Sequence, residues 1–409
     1  MTPPELRYEA AEKRLNVYIH IPFCIKKCSF CYIPVLPAQH VPWSNYLAAL
    51  KLEASRRAPR FAAGGALVET LYLGGGTPSL LAPGLLAELV GHIRDLLPFG
   101  DSATLSMEVH PGPHGLALFQ DHLAAGLNRL VICAQTFDSG RLARLGRTHT
   151  GEEAAACLKR ARQTGFAHLG CELMWGYPDA RPLDMAADFS RAVSEGATEV
   201  SFQWFNVNPK GFLPDPREQD RLWTMFSLMK EAAVRLGFRQ VGAQSFAAAG
   251  AAHRHHAING PGLATTPYGK VLGLGWGAMS HLGGCMESHS GSMDRYLQDP
   301  GAGHLAQSIP SDELVWGAFT YGLTVLRSVP GAWMEGPFRQ AANGSMLATT
   351  EAWQEAGLIQ ADPQGGMVLT LRGEALLDAY LHASGTSNRG GANPLGPPGG
   401  GPDSLPCPG

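Results

Sequence analysis

Three cysteines, Cys24, Cys28 and Cys31, fall within eight residues in the run Phe23-Cys24-Ile25-Lys26-Lys27-Cys28-Ser29-Phe30-Cys31-Tyr32. The C-x3-C-x2-C spacing gathers three thiolates into one tight loop, and thiolates are the ligands from which iron–sulfur cubanes are built. With three protein ligands, one iron of a [4Fe–4S] cluster stays open to a substrate or cofactor. Structural zinc suits the loop poorly, because no fourth Cys or His lies close by. The remaining cysteines, Cys133, Cys157, Cys171, Cys285 and Cys407, are scattered singly. They read as small apolar residues, with Cys407 in a loose tail. Eight cysteines in a chain of 409 residues do not make a disulfide framework.

The elements that must carry this loop alternate between β-type and helix-type runs from residue 17 to about 246. Strands are expected at Val17–Ile21, Leu67–Leu73, Thr104–Val109, Arg129–Gln135, Ala167–Met174 and Glu199–Val207. Leu86, Leu89, Val90, Ile93 and Leu97 recur at helical spacing. Thr150 and Glu153 form a capping box opening a helix over Glu152–Gln163, with Gly165 as its stop. Pro182 suits the first turn of a further helix, and Pro216–Leu236 is a long one. Six strand–helix units in series predict an α/β fold with a parallel sheet, closed or partly closed as a (β/α)6 barrel. On the third strand Leu105, Met107 and Val109 face one way, while Ser106 and Glu108 face the other. Since a buried parallel strand is ordinarily apolar on both faces, the polar parity of Glu108 points to an interior that holds a ligand.

The pattern changes after about residue 290. The division expected is an N-terminal lead-in (1–16), a barrel (17–246), a Gly-rich connection (247–300), a small α+β winged-helix-like domain (301–383) and a disordered tail (384–409). The tail is rich in Gly, Pro, Ser and Asn. Apolar residues make up 45% of the chain and charged ones 16%, which suits a globular enzyme with a sizeable core. A net charge of −3 gives no broad electrostatic pull toward nucleic acid or an anionic membrane, and no apolar run is long enough to span one. Met1-Thr2-Pro3-Pro4-Glu5 lacks the pattern of a secretory signal, so a cytoplasmic location is expected.

The triad follows Tyr18-Ile19-His20-Ile21-Pro22-Phe23, and this combination resembles the radical S-adenosylmethionine (SAM) superfamily, within it the oxygen-independent coproporphyrinogen III oxidase-like group. The resemblance extends from about Tyr18 to Leu376. It implies a partial (β/α)6 barrel with the cluster at its mouth and SAM chelating the open iron. One electron would then split SAM into methionine and a 5′-deoxyadenosyl radical. Further landmarks come in family order. Gly75, Gly76 and Thr77, in Tyr72-Leu73-Gly74-Gly75-Gly76-Thr77-Pro78, look like the contact to the SAM amino group; glycines let a backbone come close to a ligand. Glu108, Gln135 and Arg147 match the family's next polar SAM contacts, and Tyr18 and Phe30 join them as cofactor contacts. Glu172 falls where the family usually carries aspartate, which keeps the charge and changes the reach. No single residue is assigned a catalytic role.

Three activities share this architecture. The true oxidases carry a further cysteine two positions after the triad, where Ile33 stands here, and a longer N-terminal segment. The heme chaperones usually show His-Asn followed by Tyr-Trp, while this chain reads His255-His256-Ala257-Ile258-Asn259-Gly260-Pro261. The resemblance therefore points to a class C-type methylase or cyclopropane-forming enzyme acting on an sp2 carbon of a natural product. Such an enzyme would use two SAM molecules; a heme chaperone or porphyrin-modifying protein is the alternative. An electron donor such as flavodoxin or ferredoxin and a small-molecule substrate are the implied partners. His253-Arg254-His255-His256 reads as a basic surface loop. Leu272-Gly273-Leu274-Gly275-Trp276-Gly277-Ala278-Met279-Ser280 resembles the family's barrel-closing segment, with packing and contact to a second SAM as its expected roles.

Overall fold

A computed structural model describes residues 13–40, 42–112, 119–205, 213–251, 270–282, 284–289, 291–301 and 304–383. The His253–His256 run and the segment 384–409 lie outside the described residues. The main strands are β1 (Arg14–Ile21), β2 (Leu67–Gly75), β3 (Phe99–Val109), β4 (Arg129–Gln135), β5 (His168–Trp175) and β6 (Glu199–Trp204). They continue as β7 (Phe238–Gly242), β8 (Ser245–Ala248), β9 (Lys270–Leu274), β10 (Met279–His281), β11 (Cys285–His289) and β12 (His304–Ser308). The main helices around them are α1 (Trp43–Arg57), α2 (Pro83–Leu96), α3 (Ser139–Arg144), α4 (Gly151–Thr164), α5 (Asp184–Ser194) and α6 (Pro216–Arg235).

The chain divides into two compact units. One takes its described residues from Tyr8–Gly170 and Tyr268–Ile309, the other from Cys171–Pro267 and Pro310–Ala392. In the first unit the strand order is β12-β11-β10-β9-β1-β2-β3-β4. The stretch β9-β1-β2-β3-β4 is parallel throughout, as the strand–helix alternation requires. Strands β10 to β12 extend it antiparallel. The second unit carries the order β5-β6-β8-β7, with β8 antiparallel to both neighbours. It also holds α7 (Ser311–Tyr321), α8 (Gly344–Glu355), α9 (Leu371–Ala383) and a sheet of three short strands. Lys230 on α6 and Arg327 both pair with the buried Glu374 of α9.

The expected strands are all present, each displaced by a few residues at most, and the capping box of α4 is complete. The Thr150 side chain accepts from the Glu153 N–H, the Glu153 carboxylate accepts from the Thr150 N–H, and Gly165 closes the helix at φ +108. Pro182 is displaced from its expected place: α5 starts at Asp184 with Leu183 as N-cap, so the proline precedes the helix. Cys157, Cys171 and Cys285 are buried as expected, whereas Cys133 is only half-buried.

Strand β1 shows why the first unit can hold a polar site inside a core. Leu15, Val17, Ile19 and Ile21 are fully buried on one parity. Asn16 and His20 are also buried, on the other parity, with Tyr18 between them. Buried polar groups persist only when hydrogen-bonded, and these are. Thr70, opposite Asn16 on β2, donates its hydroxyl to the Asn16 side-chain oxygen Oδ1 at 2.7 Å. Tyr18 lies opposite Tyr72, with the rings stacked at 6.3 Å, and the Tyr72 hydroxyl donates to Glu108 at 2.8 Å. One polar layer therefore crosses β1, β2 and β3 on the parity that Glu108 marked.

The turn after β2 is shaped by close backbone approach. A Cβ on Gly76 would stand 2.7 Å from both the nitrogen and oxygen of Phe23 and 2.8 Å from the Ile21 oxygen. These are backbone atoms, which cannot swing aside. Gly76→Ala is expected to destabilise the protein by about 1–3 kcal/mol through overpacking, read as a lower urea midpoint; a midpoint matching that of the parent would contradict the close approach.

Candidate cluster and cofactor site

The cysteine loop is pinned at both ends before any metal is considered. Phe23–Cys24 pairs in parallel with Leu36–Pro37, and the Leu36 N–H donates to the Pro22 carbonyl at 2.7 Å. The Gly76 N–H donates to the Ile21 carbonyl at 2.8 Å, which sets the end of β2 against the root of the loop. Farther along, the Ser29 N–H donates to the Leu145 carbonyl at 3.0 Å and the Cys31 N–H to the Cys28 carbonyl at 3.2 Å. All three thiols are free and partly exposed.

Burial raises the Cys24 and Cys31 thiols above the ordinary thiol range. A hydrogen bond from Thr77 to Cys24 Sγ (3.4 Å) opposes this for Cys24, and the neighbouring cysteines add to it. The apo loop therefore keeps these two thiols protonated at neutral pH, and loading a metal must expel protons. Among the described residues no three of His, Cys, Asp and Glu converge on a point that one ion could fill. A tetrahedral ion gathers all its sulfurs at about 2.3 Å from one centre, whereas a cubane gives each thiolate its own iron. By its donor chemistry, three free thiols on one short loop, the site suits the second arrangement.

Around the loop the first unit assembles most of the residues that the resemblance singled out. His20 fills the space beside Gly75, where a Cβ would lie 2.5 Å from its ring, and Gly75 has φ +104. Its Nδ1 is 2.9 Å from the Tyr18 hydroxyl and its Nε2 is 3.4 Å from the Pro34 carbonyl. Burial lowers its pKa to about 4, so the ring is neutral, accepting from Tyr18 and donating to Pro34. Burial, then the Glu108 charge, push the Tyr18 phenol well upward, so it too stays protonated. Phe30 lies within the loop, half-buried.

Strand β4 ends in a strained residue. Gln135 is buried at φ +67, a left-handed conformation that non-glycine residues adopt only at a cost. The loop after α3 grips this strand end: Arg147 Nη2 donates to the Cys133 carbonyl at 2.7 Å, and His149 Nε2 lies 3.2 Å from the Ala134 carbonyl. Arg147 Nη1 reaches Cys28 Sγ at 3.5 Å. A cavity of about 120 Å³ opens beside Cys24, lined by Ile25, Thr77, Ser79, His110 and Thr148 among others. Glu172 belongs to the second unit, where its carboxylate accepts from Gln203 of β6.

Sequence reasoning missed His20, Tyr72, His110 and His149. The alternation Asn16-Val17-Tyr18-Ile19-His20-Ile21 was the available signal for His20, since its polar parity is the one later found in Glu108. It also missed the support for the Gly-rich segment. Tyr46 donates to the His20 carbonyl (2.6 Å) and accepts from the Trp276 N–H (3.2 Å), and buried Glu53 accepts from the Gly275 N–H (2.8 Å). That segment packs on the His20 backbone, a Cβ on Gly275 falling 2.7 Å from the His20 oxygen.

The radical SAM superfamily signature matches residues 18–188. The heme chaperone HemW of Escherichia coli K12 is 30% identical over 269 residues, covering 64% of this chain and 69% of the relative. The chain belongs to the radical SAM superfamily. Within it, the chain falls in the oxygen-independent coproporphyrinogen III oxidase-like group. The oxygen-independent coproporphyrinogen III oxidase of Escherichia coli K12 is 30% identical over 310 residues, covering 70% of this chain and 65% of that enzyme. The solved structure described as coproporphyrinogen III oxidase (HemN) from Escherichia coli, a radical SAM enzyme, superposes with a TM-score of 0.72 at 23% identity, over 93% of this chain and 92% of that one. The α/β fold with its large, mostly parallel sheet is thus the fold of that enzyme, and a [4Fe–4S] cluster and SAM are the cofactors of the family. The methylase expectation is not what these relatives favour. Among the described residues no helix is long and apolar enough to cross a membrane.

His149 is held at about 3, chiefly by burial and then by Arg147, and His20 at about 4. Both rings resist protonation in the fold but accept a proton near 6.5 when unfolded, so the unfolded chain binds more protons below that pH. Stability is therefore complete above pH 6.5 and is lost as pH falls through about 4, His20 alone contributing on the order of 3 kcal/mol. Urea midpoints at pH 7.5, 6 and 5 are expected to decline in that order; a flat series would contradict neutral buried rings.

Proposed function

We propose that this radical SAM protein handles a porphyrin-type macrocycle, as a heme-binding chaperone or a porphyrin-modifying enzyme. The chaperone reading comes first. The reading rests on the cysteine loop at the end of β1 together with relatives that bear heme and coproporphyrinogen names. Ile33 favours the chaperone over the oxidase, since it stands where the resemblance implies the oxidases' further cysteine. The heme chaperone and coproporphyrinogen oxidase relatives do not favour the methylase and cyclopropanase readings.

When bound, the cluster and SAM supply one-electron cleavage chemistry and a carbon-centred radical. The residues of this chain do the positioning. Cys24, Cys28 and Cys31 would hold three irons, and the Gly75-Gly76-Thr77 turn brings backbone N–H groups to the loop without side-chain obstruction. Tyr18, Glu108, Gln135 and Arg147 would be the SAM contacts, with Tyr72 fixing the Glu108 carboxylate and His20 fixing the Tyr18 hydroxyl. Phe30 completes the proposed cofactor set of the first unit, and Glu172 is proposed on the resemblance alone. A flavodoxin- or ferredoxin-type donor would supply the electron.

Anaerobically reconstituted protein is expected to carry about four irons, and replacing Cys24, Cys28 and Cys31 together with alanine to abolish both iron binding and SAM cleavage. Zinc in place of iron would refute the cluster. Titration with heme, read by its Soret band, is expected to show stoichiometric binding; no binding of heme or coproporphyrinogen, with S-adenosylhomocysteine formed beside 5′-deoxyadenosine, would favour a methylase.

A further inference from the structure

The family resemblance makes Arg147 a SAM contact, but its guanidinium also touches the cysteine loop. One arm donates to Cys28 Sγ at 3.5 Å while the other is fixed on the Cys133 carbonyl at 2.7 Å. The carbonyl belongs to β4, a strand of the parallel sheet, so the anchor is rigid. The segment that carries Arg147 is itself tied to the loop by the Ser29-to-Leu145 hydrogen bond. Gly146 turns the chain between Leu145 and Arg147 at φ +75, a left-handed conformation that favours glycine. The Leu145–Ser29 bond and the Cys133 anchor therefore hold this arginine against one particular cysteine.

We propose that Arg147 is a positioning residue for the cluster itself, donating an N–H to the Cys28 sulfur and raising the midpoint potential of the bound [4Fe–4S] group. One-electron reduction adds a negative charge that is shared with the thiolate sulfurs. A cationic donor to one of those sulfurs stabilises the reduced form more than the oxidised form, and hydrogen bonds to sulfur are among the levers that set cluster potentials. Arginine suits this task because it stays charged and its planar fork can hold a carbonyl and a sulfur together. Lys26 and Lys27 sit on the same loop with the same charge, but both are exposed. Water and salt screen such charges.

The proposal rests on the cluster reading, and the test separates the two. The potential is titrated in SAM-free, reconstituted holoprotein with dithionite, following the EPR signal of the reduced cluster. In Arg147→Gln the ratio of reduced to oxidised cluster at the parent's midpoint is expected to fall about tenfold, equivalent to about 59 mV for a one-electron couple. Lys26→Gln is expected to stay within about twofold of the parent. Parent protein labelled with 15N-arginine is expected to show 15N coupling to the reduced cluster, a readout that holds even if Arg147→Gln loses its cluster. Full iron with an unshifted potential in Arg147→Gln, or absence of the 15N coupling, overturns the role of Arg147 and leaves the cluster standing. Absence of iron from the parent overturns both.

Discussion

Backbone touches backbone where β1 and β2 end, and the cysteine loop depends on that contact. The Gly76 N–H bonded to the Ile21 carbonyl, with Phe23 pressed against the same glycine, leaves no room for a side chain. The Phe23–Cys24 and Leu36–Pro37 ladder then closes the loop on itself. A ligand set of three cysteines needs such a frame, because the loop must hold its thiols apart to serve three irons rather than letting them collapse onto one ion. The frame is made of main-chain hydrogen bonds and leaves the three sulfurs out of its pairing.

Inside the sheet a second constraint operates. Asn16, Tyr18 and His20 occupy one parity of β1 in an interior that is otherwise apolar, and an unpaired polar group there would cost several kcal/mol. The protein avoids that cost by pairing across strands, Thr70 with Asn16 and Tyr72 with Glu108, and along β1, Tyr18 with His20. The result is a rigid polar layer leading to the cysteine loop, with side chains kept in defined protonation states by burial. Gln135 adds a strained backbone at the end of β4, gripped by Arg147 and His149 through the carbonyls before it. Strain of this kind persists only where the surroundings over-determine it.

Choosing among activities tested sequence reasoning harder than choosing the superfamily. Ile33 and the missing Tyr-Trp pair are single local departures, and ranking the oxidase and the chaperone below a methylase gives them more weight than they carry. The relatives weigh against that step, since identity to a heme chaperone and to a coproporphyrinogen oxidase extends over some 270–310 residues. A substrate is recognised by many side chains over a broad surface, so two absent markers carry less weight than similarity along most of the chain.

What the sequence determined alone was everything local in origin: the C-x3-C-x2-C ligand set, the order of strands and helices, the capping box of α4 and the inward parity of Glu108. These follow from spacing and period, which a linear chain displays directly. Tertiary structure decided which distant residues meet. Arg147 finds Cys28, Tyr46 bridges His20 to Trp276, and Glu53 holds Gly275 across 222 positions. No spacing rule encodes such pairs, because strand register and packing, not separation along the chain, bring their atoms within hydrogen-bond reach.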